Sequence, residues 1–232
     1  MDLCNTNIVT INPAKYGGMY KHMDIYVHKP KAANDVNRPA LIYFHGGAFV
    51  FNNAYHTAPI ACNHALNFDC TVFGVDYGVA PEVKAPTGGL NAYAAVKYIT
   101  ENAKAFNIDP DRIAIGGESS GGYITASCCM QLAKTNESNI VKFAWMDIAA
   151  VSNHWFERTE KNSSWIEWVT KEGQFGPLQC LAVDLDKQIN DPEIFPIWMG
   201  DELAKKCPFT IVTGREFDCY KRDCEQYAEL MR

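Results

Sequence analysis

The sequence predicts an α/β fold in which a mostly parallel central sheet carries helices on both faces. Short apolar runs alternate with longer segments whose apolar residues recur at helical spacing, and parallel neighbouring strands require such crossover connections. The 232 residues are 47% hydrophobic and 21% charged, which is typical of a globular chain able to form one sizeable core. We therefore expect one domain over residues 1–232, in which residues 152–200 are less regular than the rest.

Strands and helices are predicted in alternation along the chain. Residues 19–30, MYKHMDIYVHKP, alternate apolar and polar side chains, which predicts a half-buried edge strand. The other predicted strands are apolar runs, at 40–47, 70–78, 113–117, 142–151 and 207–214. The clearest helix is predicted at 88–105, and further helices are expected near 57–67, at 118–135 and after 214. Ligands of such sheets bind beyond the C-terminal ends of the strands.

The charge pattern argues against nucleic acid as a partner, because the net charge is −6 and the basic residues are scattered. No apolar run approaches the ~20 residues of a transmembrane helix, and residues 1–18 lack the basic-then-apolar order of a signal peptide. We expect a cytoplasmic protein without a transmembrane segment. Its nine cysteines form no CxxC pair and are expected to be reduced and mostly buried. No cofactor or metal is expected.

Residues 117–121, Gly-Glu-Ser-Ser-Gly, match the GxSxG pattern of a nucleophile elbow. They lie between a predicted strand and a predicted helix, and glycine on either side of the serine avoids crowding of neighbouring backbone. Ser119 would then project from a helix N-terminus, where N–H groups and the helix dipole favour negative charge. The same residues could instead form a simple helix N-cap, with Ser119 or Ser120 as the capping residue. The motif alone leaves both interpretations open.

Residues 45–49, HGGAF, form a second motif directly after the strand ALIYF. Acyl transfer needs backbone N–H groups that stabilise the oxyanion of its tetrahedral intermediate, and loops of the HGG type provide them in lipases and esterases. On its own, a histidine followed by two glycines usually marks only a turn. Two such motifs about seventy residues apart, both at strand ends, favour acyl-transfer chemistry over coincidence.

Together these motifs resemble the hormone-sensitive-lipase-like branch of the α/β-hydrolases, and the resemblance covers most of the chain. Three further segments are similar to sequences of that family: DYGVAPE (76–82), NIDPDRIAIGGESSGG (107–122) and DPEIFPIW (191–198). The departures are mild, since Ala48, Gly78 and Glu118 stand where the family has glycine, arginine and aspartate.

The resemblance implies a single α/β-hydrolase domain that acts as a serine esterase, with Ser119 as the nucleophile. The residues implied for the oxyanion hole are Gly46, Gly47, Ala48 and Ser120. Backbone N–H groups of the last three would bind the oxyanion, and Gly46 would allow close approach. His45 would hold the loop and is not a credible general base, because the family uses a histidine far downstream.

After the strand at 207–214, the chain resembles the family segment that carries the catalytic acid, which assigns the acid to Asp218. A loop or capping carboxylate is the alternative for Asp218, and Asp223 on the following helix is expected to be solvated or capping. Family triads run in the order Ser, Asp, His, yet the fourteen residues after Asp218 contain no histidine. The chain therefore looks truncated, with its last strand missing.

Two consequences are expected from this truncation. The strand around Thr210 would become an unpaired sheet edge, and Ser119 would lose its proton acceptor. Lower stability and greatly reduced turnover are expected. His154 is expected to be a surface residue of the region where the resemblance implies a cap. The minor alternative is that it lies on the active-site face and substitutes as the base.

The resemblance implies a cap-like insertion at about 152–200. Aromatic side chains are concentrated in this predicted cap: Trp155, Phe156, Trp165, Trp168, Phe175, Phe195 and Trp198. They would line an acyl or alcohol pocket, or only pack the cap onto the core. Three functions remain open. The sequence favours a hydrolase of small apolar carboxylic esters. The alternatives are a non-catalytic small-molecule-binding module on the same fold, as in plant gibberellin receptors, and a non-functional fragment.

Overall fold

The computed structural model describes residues 3–33, 37–152 and 176–232. Its described strands are β1 (Cys4–Ile11), β2 (Met23–Pro30), β3 (Arg38–Phe44), β4 (Thr71–Val75), β5 (Ile108–Glu118), β6 (Phe143–Asp147) and β7 (Thr210–Thr213). They form one sheet in the order β1-β2-β4-β3-β5-β6-β7. The pairs β1–β2 and β2–β4 are antiparallel, and the other four pairs are parallel. The mostly parallel sheet predicted from the sequence is confirmed.

Helices lie on both faces of this sheet. They are α1 (Ala58–Asn67), α2 (Thr87–Glu101), α3 (Ser120–Lys134), α4 (Pro177–Leu181), α5 (Leu185–Gln188), α6 (Asp201–Ala204) and α7 (Lys221–Leu230). Short 3-10 turns occur at Pro13–Tyr16, Ser138–Ile140 and Pro196–Trp198. One buried layer joins α1 to the sheet, and the other joins α2, α3 and α7 to it. Within the described ranges, no helix is long and apolar enough to cross a membrane.

The central strand β3 is covered on both faces. Leu41 and Tyr43 belong to the layer of α1, whereas Ala40, Ile42 and Phe44 belong to the layer of α2 and α3. A strand buried on both faces does not alternate apolar with polar residues, which explains the uninterrupted run ALIYF. Because β3 runs parallel to β4 and β5, the loops that follow these three strands emerge at the same edge of the sheet.

The prediction of residues 19–30 as an edge strand is wrong. Within that range β2 pairs with β1 on one side and with β4 on the other. The edge strand is β1, whose buried residues, Cys4 and Ile11, lie only at its two ends. A largely solvated antiparallel edge strand needs no apolar alternation, so the sequence carried no signal for β1.

β7 pairs with β6 alone among the described strands, as the sequence analysis expected of this strand. Beside and within it, Phe209 and Ile211 are 72% and 42% exposed. Phe143 and Trp145 of the neighbouring β6 contribute to an open apolar cavity of about 470 Å³. The described residues therefore leave apolar surface uncovered at β7 and where β3, β5 and β6 line this cavity.

His28 on β2 makes the stability of the fold sensitive to acid. Its side chain is 0% exposed, and its Nδ1 lies 2.9 Å from Thr6 Oγ1. Burial lowers the pKa of His28 from 6.5 to about 4. Between these two pH values the folded protein binds fewer protons than the unfolded chain, so the stability is full above pH 6.5 and falls as the pH drops towards 4.

We expect the wild type to lose roughly 2–3 kcal/mol more unfolding free energy than His28→Leu between pH 7 and pH 4.5. Urea denaturation at the two pH values measures the difference. His22→Gln, at an exposed position next to the same strand, is the control and should follow the wild type. Equal losses in the wild type and in His28→Leu would contradict the assignment.

Candidate active site

Residues 117–121, here called the serine turn, join the end of β5 to the start of α3. Ser119 has a φ of 56° and a ψ of −122°, and its N–H donates to the carbonyl oxygen of Asp147 at 2.8 Å. A positive φ is uncommon in residues other than glycine, and such strain is concentrated at functional sites. The Ser119 side chain makes no capping hydrogen bond to α3. The interpretation of Ser119 as a simple N-cap is therefore not supported.

Close backbone packing fixes the serine turn against the end of β3. A Cβ atom on either Gly117 or Gly121 would lie 2.1 Å from the carbonyl oxygen of Phe44. A Cβ atom on Gly121 would also lie 2.8 Å from the carbonyl carbon of His45. These neighbours are backbone atoms, which cannot rotate out of the way. Only glycine fits at both positions, and the serine turn touches the residues that follow β3.

Residues 45–51, here called the glycine loop, form a tight turn after β3. The N–H groups of Val50 and Phe51 both donate to the carbonyl oxygen of Gly47, at 3.1 and 2.8 Å. Ala48 and Phe49 have φ values of 50° and 68°. Two successive non-glycine residues with positive φ are strained, so the surrounding structure must hold the loop in place.

Hydrogen bonds from neighbouring segments anchor the glycine loop. The Tyr77 hydroxyl donates to the carbonyl of His45 at 2.8 Å, the Asn52 amide donates to that of Gly46 at 3.1 Å, and the Ala80 N–H donates to that of Phe49 at 2.9 Å. Tyr77 and Ala80 belong to the segment DYGVAPE, which follows β4. The similarity of this segment to family sequences therefore has a structural basis.

His45 is buried and its contacts lie within and beneath the glycine loop. Its ring stacks on Tyr77 with 4.5 Å between centroids, and its Nδ1 lies 3.0 Å from the carbonyl oxygen of Gly46. Burial lowers the pKa of His45. No histidine in the described part of the chain forms a hydrogen bond with Ser119. His154 lies outside the described residues.

The backbone N–H groups of the serine turn and of the glycine loop differ in whether they already donate a hydrogen bond. Those of Gly47, Ala48 and Ser120 have no hydrogen-bond acceptor among the residues described. The Gly46 N–H, in contrast, donates to Glu118 Oε1 at 3.2 Å. All three N–H groups predicted to bind the oxyanion are therefore unused, whereas the N–H of Gly46, predicted only to allow close approach, is not.

Glu118, the last residue of β5, appeared in the sequence only as a departure from aspartate. Its Oε1 also accepts a hydrogen bond from the Tyr43 hydroxyl at 2.7 Å. Burial raises the pKa of Glu118, although the hydrogen bonds from Tyr43 and Gly46 favour its ionised form. The one signal in the sequence that could have drawn attention to this residue is its position directly before Ser119.

Asp218 lies in the loop between β7 and α7. Its Oδ1 accepts a hydrogen bond from the Tyr220 N–H at 2.8 Å, and no described hydrogen bond joins Asp218 to Ser119. This contact stabilises the local turn, which is the alternative that the sequence left open for Asp218. Among the residues described, His, Cys, Asp and Glu side chains form no cluster of three or more that could hold a metal ion.

The expectation that Asp223 is solvated or capping is wrong. Its side chain is 0% exposed and accepts hydrogen bonds from the Ser152 hydroxyl at 2.6 Å and from the Ser152 N–H at 2.9 Å. Asp223 lies with Tyr227 on the buried side of α7. The carboxylate ties α7 to the segment after β6, whose Ala150 N–H lies 3.5 Å from the carbonyl oxygen of Ser119.

Most of the predicted cap aromatics, Trp155, Phe156, Trp165, Trp168 and Phe175, lie outside the described residues. Of the other two, Phe195 is fully buried in the main core, whereas Trp198 is 39% exposed. The alternative that these aromatic side chains only pack onto the core is thus correct for Phe195.

Known proteins similar to this chain are esterases and hydrolases. A family model described as alpha/beta hydrolase fold matches residues 41–232. The chain is 31% identical over 205 residues to an arylesterase of Saccharolobus solfataricus, across 83% of this chain and 61% of the arylesterase. It is 38% identical over 213 residues to the carboxylic ester hydrolase LipN of Mycobacterium tuberculosis, across 84% of this chain and 52% of LipN. The chain thus spans less than two thirds of the length of these relatives.

Solved structures show the same fold. Carboxyl esterase 2 of Tuber melanosporum superposes with a TM-score of 0.83 at 22% identity, covering 100% of this chain and 72% of the esterase. EstE1, a thermophilic carboxylesterase from a metagenomic library, gives a TM-score of 0.80 at 26% identity, covering 98% of this chain and 74% of EstE1. The resemblance inferred from the sequence motifs is confirmed.

Proposed function

Because the chain belongs to the alpha/beta hydrolase family, we propose that it hydrolyses small apolar carboxylic esters with Ser119 as the nucleophile. The observation that carries the proposal is Ser119 itself, held at positive φ in a turn that packs directly against the glycine loop. Relatives named as an arylesterase and a carboxylic ester hydrolase support the reaction class.

The proposed reaction is acyl transfer through a covalent intermediate. Ser119 Oγ attacks the ester carbonyl while its proton passes to a base, the alcohol leaves with a proton, and water then releases the acid from the acyl-enzyme. The N–H groups of Gly47, Ala48 and Ser120 form the oxyanion hole for both tetrahedral intermediates. Gly46 only allows the close approach to the oxyanion, because its N–H already donates a hydrogen bond to Glu118.

The base in this mechanism is a histidine, which the described residues do not bring to Ser119. We assign to Asp218 the role of orienting such a histidine, supported by its place in the loop that follows β7 at the carboxyl edge of the sheet. Without this base Ser119 is a weak nucleophile, and the rate falls to about that of Ser119→Ala. Oxyanion stabilisation and binding alone can retain roughly 10³–10⁴-fold acceleration over water.

The proposed setting is the cytoplasm, supported by nine free cysteine thiols, which persist in a reducing compartment. A net charge of −6 supports a small neutral substrate rather than nucleic acid.

The first test is hydrolysis of p-nitrophenyl butyrate by the wild type and by Ser119→Ala. We expect measurable hydrolysis by the wild type and a rate at least about 100-fold lower in Ser119→Ala, because the covalent route is lost. Equal rates in the two proteins would mean that Ser119 does not act as a nucleophile in this chain. If the folded wild type gives no hydrolysis but binds a small apolar acid saturably, the binding-module function replaces the esterase.

A further inference from the structure

We propose that Glu118 is a positioning residue, which holds the glycine loop against the serine turn through the Gly46 N–H. The kinetic consequence of this role rests on the proposed function, whereas the structural role does not. Glu118 itself touches no reacting atom in the proposed mechanism, so it acts through the loop that it holds.

The contact joins the serine turn to the glycine loop. Glu118 directly precedes Ser119, and Gly46 directly precedes Gly47 and Ala48. A hydrogen bond of 3.2 Å from the Gly46 N–H to Glu118 Oε1 therefore links the residue before the nucleophile to the residue before the unused donors. Any shift of Gly46 moves those donors relative to Ser119.

The carboxylate is itself held in place from the side of α1. Tyr43 is 1% exposed, its hydroxyl donates to the same Oε1 at 2.7 Å, and its ring lies edge-on to that of His64 with 5.3 Å between centroids. Packing is also tight on the loop side, since a Cβ atom on Gly46 would lie 2.9 Å from the backbone oxygen of Glu118. A partly desolvated, charge-assisted hydrogen bond is stronger than a neutral one.

The other described anchors of the loop act differently. Tyr77, Asn52 and Ala80 all donate to carbonyl oxygens of the loop. Glu118 instead accepts from a loop N–H, which fixes the orientation of that peptide plane and of the two strained residues that follow Gly47. Loss of the carboxylate would leave the Gly46 N–H without this acceptor and let the loop relax.

The direct test observes the Gly46 amide by nuclear magnetic resonance. His45-Gly46 is the one His-Gly pair in the sequence, so labelling histidine with ¹³C at the carbonyl and glycine with ¹⁵N selects a single amide. In Glu118→Ala we expect this resonance to move upfield and its solvent exchange to become at least about tenfold faster. Glu118→Gln keeps an oxygen acceptor and should restore most of the protection.

A matched control separates this role from a general loss of stability. Glu137 is another partly buried glutamate, and it accepts hydrogen bonds from Tyr93 and Lys97. Both donors lie on helix α2, away from the site. Glu137→Ala should lower the melting temperature without changing the Gly46 resonance. In ester hydrolysis, Glu118→Ala should lower kcat by roughly 10–100-fold with KM little changed, because misplacement of catalytic groups acts mainly on the chemical step.

Each outcome decides one of the two claims. An unchanged Gly46 amide in Glu118→Ala overturns the positioning role whatever the activity. If the Gly46 amide changes in Glu118→Ala but kcat does not, the positioning of the loop by Glu118 does not serve catalysis, which also overturns the proposal. The proposed esterase function then remains intact. If the amide changes in Glu118→Ala but the wild type hydrolyses nothing, the hold on the loop is supported and the proposed function is rejected instead.

Discussion

Gly121→Ala is expected to lower the melting temperature by roughly 10–15 °C or to prevent folding altogether. The added Cβ atom would lie 2.1 Å from the carbonyl oxygen of Phe44 and 2.8 Å from two backbone atoms of His45. Relief requires β3 and the serine turn to separate, which disrupts the centre of the sheet. A cost of at least about 4 kcal/mol is typical of such overpacking against backbone.

Gly74→Ala is the matched control for this substitution. Gly74, in β4, is also a buried glycine, but the nearest atom to its added Cβ, His28 Nε2, lies 3.7 Å away, which is ordinary contact. Thermal unfolding followed by circular dichroism compares the two variants. If Gly121→Ala melts within a few degrees of Gly74→Ala, the close approach of the serine turn to β3 is wrong.

Asp223→Ala is expected to lower the unfolding free energy by about 3 kcal/mol or more. The substitution removes a fully buried carboxylate that accepts two hydrogen bonds from Ser152. Hydrogen bonds to charged groups contribute roughly 1.5–3 kcal/mol each, and the substitution removes two of them. Because the segment of Ser152 also contacts Ser119 through Ala150, we expect esterase activity to fall as well.

The control for Asp223→Ala lies on the same helix. Glu225 is exposed, and its contact with Lys221 at 3.7 Å is a surface ion pair, so Glu225→Ala should change the unfolding free energy by less than about 1 kcal/mol. Urea denaturation of both variants measures the difference. Similar midpoints for the two would mean that the buried carboxylate does not hold α7 to the segment after β6.

Features that depend on local pattern were predictable from the sequence. The buried run ALIYF fixed the position of β3, and the glycines of the serine turn indicated a close approach that the contact with Phe44 explains. The alternation of strands and helices was sufficient for the parallel sheet, because each parallel pair needs a crossover. Ser119 as a nucleophile remains a prediction that rests on this geometry.

Features that depend on distant pairs were not predictable. Glu118 and Gly46 lie 72 positions apart, and Asp223 and Ser152 lie 71 positions apart, so neither contact leaves a periodic signal. On the sequence alone, an aspartate on an amphipathic helix is expected to face solvent. The partner that justifies its burial becomes visible only when α7 is placed against the segment after β6.

The most direct test of the account is peptide mapping after reaction with an excess of a fluorophosphonate, which phosphorylates an activated serine. We expect one label per chain, on the peptide that contains Ser119, and none in Ser119→Ala, whose melting temperature should match that of the wild type. A label that persists in folded Ser119→Ala, or a folded wild type that takes up no label, would contradict the assignment of Ser119 as the nucleophile.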